Sequence, residues 1–89
     1  MEFEWDPDKS AVNQQKHGIG FSEARVLWRD PSLMILPSRF PEEPRFLAIG
    51  KIDRTYHTAI FTERGDKIRI ISVRRSRPNE QILHEQNQP

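Results

Sequence analysis

Residues 55–74 have the sequence TYHTAIFTERGDKIRIISVR, in which two runs rich in Ile, Thr, Val and Phe flank the polar segment ERGD. β-Branched and aromatic residues favour strands, and Gly65 can adopt positive φ at no steric cost. The connection is short enough to make the two runs, Thr55–Thr62 and Lys67–Arg74, antiparallel neighbours. The segment therefore predicts a β-hairpin.

Two earlier segments extend this hairpin into a larger sheet. Arg45–Ile52 is a third run of strand-forming residues, and the polar pair Asp53-Arg54 connects it to the hairpin. Leu33–Leu36 is a short apolar strand, and the three prolines at positions 37, 41 and 44 place a loop after it. Together these runs predict a four-stranded antiparallel meander.

A helix is predicted over Pro7–His17. Asp6 is a suitable N-cap, and a proline follows it at the first helical position, where the missing N–H costs nothing. Lys16 and His17 place positive charge in the last turn, and Gly18 can adopt the left-handed conformation that ends a helix. This helix has few apolar residues, so most of its surface is expected to face solvent.

Three weaker elements complete the fold. Phe3 and Trp5 alternate with acidic residues, which predicts a short N-terminal strand. Ser22 is a predicted N-cap of a second helix, which Asp30-Pro31 ends. A weak terminal helix is predicted over Pro78–Gln86. The expected fold is α+β: the short strand and two helices pack on the meander, and the helices, including the terminal one, cover one face of the sheet. The chain is expected to form a single domain over residues 1–89.

Composition excludes several classes of protein. The chain has 89 residues, 14 Lys and Arg against 13 Asp and Glu, and no Cys, so a large enzyme, a polycation, a disulfide scaffold and a thiolate metal site are excluded. No apolar run approaches the length of a membrane span, and the N-terminus is acidic where a signal peptide is basic. A cytoplasmic protein without a metal or organic cofactor is expected.

Positive charge is concentrated in one segment. Residues 67–77 contain five cations and no acid, namely Lys67, Arg69, Arg74, Arg75 and Arg77. Guanidinium groups bind phosphate oxygens bidentately, so this strand is a candidate RNA-binding edge. The alternative is equally compatible with composition: the arginines pair with carboxylates such as Glu63 and Asp66 on a solvated surface.

The hairpin also carries groups suited to RNA cleavage. This reaction deprotonates the 2'-hydroxyl, stabilises a negatively charged phosphorane and protonates the 5' oxygen. Glu63 and His57 are candidate proton carriers, and Arg64 and Arg69 are candidate phosphate ligands. Solvated side chains at a hairpin tip have the same composition, so the pattern alone does not establish catalysis.

Two motifs in the chain resemble those of the BrnT family of bacterial toxins. They are Lys16-His17-Gly18 followed by Phe21, and Ile68–Ser72 followed by Arg74-Arg75. Further matching positions extend over nearly the whole chain: Phe3–Asp6, Lys9, Asn13, Glu23-Ala24, Asp30-Pro31, Arg45, Ile49-Gly50 and Thr62–Arg64.

The resemblance implies a RelE-like ribonuclease fold in the toxin half of a type II toxin–antitoxin pair. It further implies growth arrest through RNA cleavage without a metal ion, by attack of the 2'-hydroxyl. The implied partner is a BrnA-type ribbon-helix-helix antitoxin, which neutralises the toxin and makes the contacts to operator DNA.

The resemblance also implies roles for individual residues. Arg64, Arg69, Arg74 and Arg75 would bind the scissile phosphate, and Glu63 or His57 would move protons. Lys67, Arg77 and Lys16 complete the expected RNA-binding set. The chain departs from the family after Arg77, where a basic helix containing a tyrosine is usual, and His84 is a candidate substitute for that tyrosine.

Two other functions fit the same sequence. One is a module that binds RNA or the ribosome without cleaving it, and the other is a structural partner that adjusts repression by a DNA-binding antitoxin. The nuclease hypothesis requires the arginines of the hairpin tip and of the last strand's end to converge in one hollow.

Overall fold

The computed structural model describes residues 1–38 and 44–88. The elements are β1 (Glu2–Glu4), α1 (Pro7–His17), α2 (Phe21–Ala24), the 3-10 helix η1 (Arg25–Arg29), β2 (Met34–Pro37), β3 (Phe46–Ile52), β4 (Thr55–Arg64), β5 (Lys67–Arg75) and α3 (Pro78–Gln86). The predicted α+β class is confirmed. The predicted proline loop falls largely on residues 39–43, which lie outside the described residues.

The strands form one sheet in the order β1-β5-β4-β3-β2. The predicted antiparallel meander of β2, β3, β4 and β5 is confirmed. The prediction kept the N-terminal strand apart from this sheet, which is wrong: β1 is a fifth strand, parallel to β5, with Phe3 opposite Ile68. This arrangement gives the first residues of β5 backbone partners on both sides and places Phe3 against the core.

The two hairpin turns use positive backbone φ angles. Gly65 has a φ of 61°, as predicted for the β4–β5 turn. Asp53 and Arg54 have φ angles of 49° and 69° at the β3–β4 turn. Two successive residues with positive φ are characteristic of a type I' turn, whose twist matches that of the flanking strands.

Helix α1 has the predicted bounds and caps. The Asp6 carboxylate accepts a hydrogen bond from the Asp8 N–H, and Gly18 is left-handed with a φ of 75°. Asn13 is the only buried residue of α1. Its Nδ2 donates to the carbonyls of Ile19 and Val73, each at 2.8 Å, and its Oδ1 accepts from the Val73 N–H at 3.3 Å. A polar side chain therefore docks this mostly exposed helix.

The second helix begins earlier than predicted. Its N-cap is Gly20, so the prediction of Ser22 as N-cap is wrong. The Ser10 hydroxyl of α1 instead accepts the Phe21 N–H at 2.9 Å, which is a tertiary contact that local sequence does not specify. The helix tightens into η1 and ends before Asp30, whose carboxylate accepts the N–H groups of Ser32 and Lys51.

The core lies between one sheet face and the helices α1, α2 and η1. Its fully buried large side chains include Phe21 of α2, Leu27 of η1 and Phe61 of β4. The Trp28 ring contacts both Phe3 and Phe61 edge-on, with 5.2 Å between centroids in each pair. Such aromatic contacts add to the free energy of apolar burial.

Helix α3 was predicted to share the helical face of the sheet, which is wrong. The side chain of Thr58 bonds Glu80 of α3, whereas the adjacent Ala59 packs in the core. Because successive strand residues point to opposite faces, α3 lies on the opposite face. None of the helices in the described segments has the length and apolar character needed to cross a bilayer.

Candidate functional site

The predicted site residues lie at two ends of the β4–β5 hairpin. Glu63, Arg64, Lys67 and Arg69 lie near its turn, whereas His57, Arg74, Arg75 and Arg77 lie at its open end. At about 3.3 Å of rise per strand residue, the backbones of Arg69 and Arg75 are roughly 20 Å apart. The expected convergence in one hollow is therefore wrong, because the two groups occupy opposite ends of one antiparallel ladder.

At the turn end, carboxylates of β1 pair with two of the three cations. Arg69 Nη1 lies 2.9 Å from Glu4 Oε2, and Lys67 Nζ lies 3.9 Å from Glu2 Oε2. On β4, Arg64 lies directly opposite Lys67 and forms no ion pair among residues 1–38 and 44–88, and Glu63 lies opposite Ile68, on the other face of the ladder. The alternative prediction was that these cations pair with carboxylates such as Glu63 and Asp66. The acidic partners in the structure are instead residues of β1. These acidic partners disfavour binding of a phosphate backbone by Lys67 and Arg69.

At the open end, two arginines remain unpaired. Arg75 and Arg77 are exposed, and within residues 1–38 and 44–88 neither guanidinium forms an ion pair. Arg75 is the last residue of β5, and Arg77 is the N-cap of α3. Two guanidinium groups at the junction of a strand and a helix can bind successive phosphates.

His57 lies beside one of these arginines, Arg75. It is half-buried in β4, directly opposite Arg75 of β5 and Gly50 of β3. Its Nδ1 lies 3.0 Å from the Thr55 carbonyl oxygen, which can only accept a hydrogen bond. Nδ1 therefore carries the proton, and in the neutral ring Nε2 has a free lone pair. Directly opposite residues have Cβ atoms roughly 4.5–5.5 Å apart, so an acceptor nitrogen and a guanidinium share one surface.

Arg74 has a different environment from its neighbour Arg75. Its Nη1 and Nη2 donate to Glu80 Oε1 and Oε2 at 2.8 and 3.0 Å, so the guanidinium binds a carboxylate of the same chain. Glu80 Oε1 also accepts from the Arg77 N–H at 2.7 Å and from the Thr58 hydroxyl at 3.1 Å. The network joins α3 to the sheet and explains how a charged pair is buried there.

The ionisation of Glu80 reflects this network. Burial acts to raise the pKa of its carboxyl, but the hydrogen bond and positive charge of Arg74 and the Arg77 N–H outweigh that effect and lower the pKa below its usual value. Glu80 is therefore ionised at neutral pH, with its charge neutralised by Arg74.

Sequence reasoning missed a second polar pair, Tyr56 with His84. The Tyr56 hydroxyl lies 3.0 Å from His84 Nδ1, and His84 Nε2 lies 2.8 Å from the Ser32 carbonyl oxygen. Nε2–H must donate to that carbonyl, so Nδ1 accepts the Tyr56 hydroxyl proton. The Lys51 ammonium lies 4.9 Å from the Tyr56 ring centroid. Tyr56 and His84 are 28 residues apart, and their pairing depends on how α3 docks, for which the sequence has no local signal.

Lys16 is exposed in the last turn of α1, one helical turn after Asn13. It lines an open groove of about 330 Å³ between α1 and β5, together with residues that include Val12 and Ile71. Among residues 1–38 and 44–88, no three His, Cys, Asp or Glu side chains are grouped so that they could hold a metal ion.

Comparison with known protein families decides the class of protein. Residues 5–80 match the family model described as "Ribonuclease toxin, BrnT, of type II toxin-antitoxin system". The chain belongs to the BrnT family. The resemblance inferred from its motifs is thereby confirmed, and its family is one of ribonuclease toxins from toxin–antitoxin pairs. No curated protein matched the chain.

The BrnT match includes both ends of the hairpin and extends to Glu80 in the first turn of α3. The Arg74–Glu80 pair lies inside the match. His84 lies outside it.

Proposed function

We propose that this BrnT-family protein is a cytoplasmic endoribonuclease toxin whose reaction centre is the open end of the β4–β5 hairpin. The observation that carries the proposal is the pairing of His57 with Arg75 across the ladder. An acceptor nitrogen and an unpaired guanidinium on one surface supply a general base and a phosphate ligand. The turn end is less suited to this role, because Glu2 and Glu4 pair with two of its three cations, Lys67 and Arg69.

The proposed reaction uses the nucleophile that RNA itself provides. His57 Nε2 takes the proton of a 2'-hydroxyl, the 2' oxygen attacks the adjacent phosphorus, and the bond to the 5' oxygen breaks. The 5' oxygen takes a proton from water, and the hydroxide left behind takes the proton from His57, so the products are a 2',3'-cyclic phosphate and a 5'-hydroxyl. Arg75 stabilises the charge that builds on the phosphorane. No step requires a metal ion.

The remaining cations of this end bind RNA in the proposal. Arg77 binds a neighbouring phosphate, and Lys16 extends the positive surface from the end of α1. Arg74 acts through α3, because its guanidinium holds Glu80. Four residues with predicted roles in catalysis or RNA binding lie outside the proposed reaction centre, at the turn end of the hairpin: Glu63, Arg64, Lys67 and Arg69. Any such role would act there.

Membership in a toxin–antitoxin family supports the biological part of the proposal. RNA cleavage by the free chain would arrest growth, and a BrnA-type ribbon-helix-helix antitoxin would neutralise it. Operator DNA would be contacted through the antitoxin alone.

Incubation of the purified chain with 5'-labelled single-stranded RNA tests the chemistry. Cleavage that persists in EDTA and leaves 2',3'-cyclic phosphate ends is the expected result, and His57→Ala should reduce its rate by about 100-fold or more. Intact RNA that binds with strong salt dependence would instead support a module that binds without cleaving. Cleavage abolished by EDTA would contradict the metal-independent mechanism.

A further inference from the structure

The groove between α1 and β5 has features that RNA cleavage does not use. On its α1 side, Lys9, Val12 and Lys16 are spaced by three and four residues, so they form one stripe along the helix. Val12 lies in the middle of this stripe with 62% of its surface exposed. On the other side, Ile71 and Ser72 of β5 are half-buried. The groove thus places apolar side chains between two ammonium groups.

The edge of β5 is open along this groove. β1 pairs only with Lys67–Arg69, and within the described part of the chain the rest of β5 has no neighbouring strand on that side. Asn13 binds the N–H and C=O of Val73 and thereby occupies the backbone groups that an added strand would need. Ile71 is the extra residue of a β-bulge opposite Ile60 and Phe61, which also disfavours strand addition. A partner at this groove must therefore bind through side chains.

We propose that the α1–β5 groove is the docking site for an acidic amphipathic helix of the antitoxin. The helix places one apolar side chain against Val12 and Ile71 and carboxylates against Lys9 and Lys16. The groove extends from Asp8 to His17 along α1, roughly 14 Å at 1.5 Å per residue, which is the length of about two and a half helical turns. This inference rests on the proposed function, because that function supplies an antitoxin partner.

Charge and polarity favour this occupant over RNA. The centre of the groove is apolar, which suits the apolar face of an amphipathic helix better than a phosphate backbone. Helices that dock in grooves are held by apolar anchors at helical spacing, with charged residues selecting the partner. Lys16 also belongs to the proposed RNA surface, so a helix bound here would compete with RNA at the α1 end of that surface.

The test uses the full-length chain and the antitoxin encoded beside its gene, with affinity measured by calorimetry. Val12→Glu and Lys9→Glu make the groove more negative, and Gln15→Glu adds the same single charge as Val12→Glu elsewhere on α1. Each groove variant should weaken antitoxin binding at least about tenfold, and Gln15→Glu should leave it unchanged. All three should retain the thermal midpoint and the affinity of the wild type for a fluorescent single-stranded RNA.

Three results would overturn the inference in distinguishable ways. Unchanged antitoxin affinity in both groove variants would place the interface elsewhere and leave the proposed function intact. Weaker RNA binding in Val12→Glu with normal antitoxin affinity would assign the groove to RNA. No binding of the wild-type chain to the antitoxin would contradict the antitoxin pairing in the proposed function as well.

Discussion

Arg74 of β5 and Glu80 of α3 form a bidentate ion pair, with Nη–Oε distances of 2.8 and 3.0 Å and side chains that are 17% and 8% exposed. The pair connects β5 to α3, which lies on the sheet face opposite the helices α1, α2 and η1. Because its charges are largely removed from water, its value to the fold depends on both partners being present.

Removal of either partner should destabilise the chain. Arg74→Ala leaves the Glu80 carboxylate buried without its cation, and we expect a loss of roughly 3–5 kcal/mol in the free energy of unfolding. Urea denaturation followed by circular dichroism measures this loss. The double variant Arg74→Met with Glu80→Leu should lose less than Arg74→Ala, since neither charge is then buried alone. Equal stability of Arg74→Ala and wild type would show that the pair does not hold α3.

The same pair predicts acid sensitivity. The pKa of Glu80 is lower in the folded chain than its usual value, so its ionised form is stabilised by folding. This contribution is complete above the unfolded pKa and is lost as the pH falls through the folded value. The free energy of unfolding should therefore decrease below about pH 4.5, more steeply in wild type than in Glu80→Gln. Parallel pH profiles for the two proteins would contradict the assignment.

Asn13 should be the main anchor of α1. Its carboxamide makes three hydrogen bonds to backbone groups of Ile19 and Val73, and Asn13→Ala leaves these groups without partners in a buried position. We expect a loss of about 2–3 kcal/mol in the free energy of unfolding. Gln15→Ala, on the exposed side of the same helix, should change it by less than about 0.5 kcal/mol. Thermal melts of the two variants should differ clearly, and coincident melts would show that Asn13 does not anchor α1.

The contact between Tyr56 and His84 should stabilise the fold without taking part in cleavage. Tyr56→Phe removes the donor to His84 Nδ1, in a residue that is only 3% exposed, and should cost about 1–2 kcal/mol of unfolding free energy. Its rate of RNA cleavage should match that of wild type at a temperature where both are folded. A large loss of cleavage in a fully folded Tyr56→Phe variant would instead move the reaction centre to this side of the sheet.

Much of the fold could be predicted because local signals mark its elements. The caps of α1 at Asp6 and Gly18 and the turn at Gly65 depend on a few neighbouring residues, and each prediction is confirmed. The pairing of β1 with β5 and the N-cap contact of Ser10 could not be predicted, because they join segments distant in the chain.

In the candidate site, too, local features could be predicted and contacts between distant segments could not. The cationic segment was visible in the sequence, but its division between the two ends of a ladder followed only from strand register. The acidic partners of Lys67 and Arg69 come from β1, whose place in the sheet was not predicted. Likewise, nothing local distinguishes Arg74, which binds Glu80, from its unpaired neighbour Arg75.

The location of the reaction centre is tested most directly by single-turnover cleavage of RNA. The variants are Arg75→Ala and Arg64→Ala, and Arg29→Ala is the control for the loss of an exposed arginine. The proposal predicts a rate loss of about 100-fold or more for Arg75→Ala, and rates within about threefold of wild type for the other two. A normal rate for Arg75→Ala with a large loss for Arg64→Ala would contradict it and place catalysis at the turn end of the hairpin.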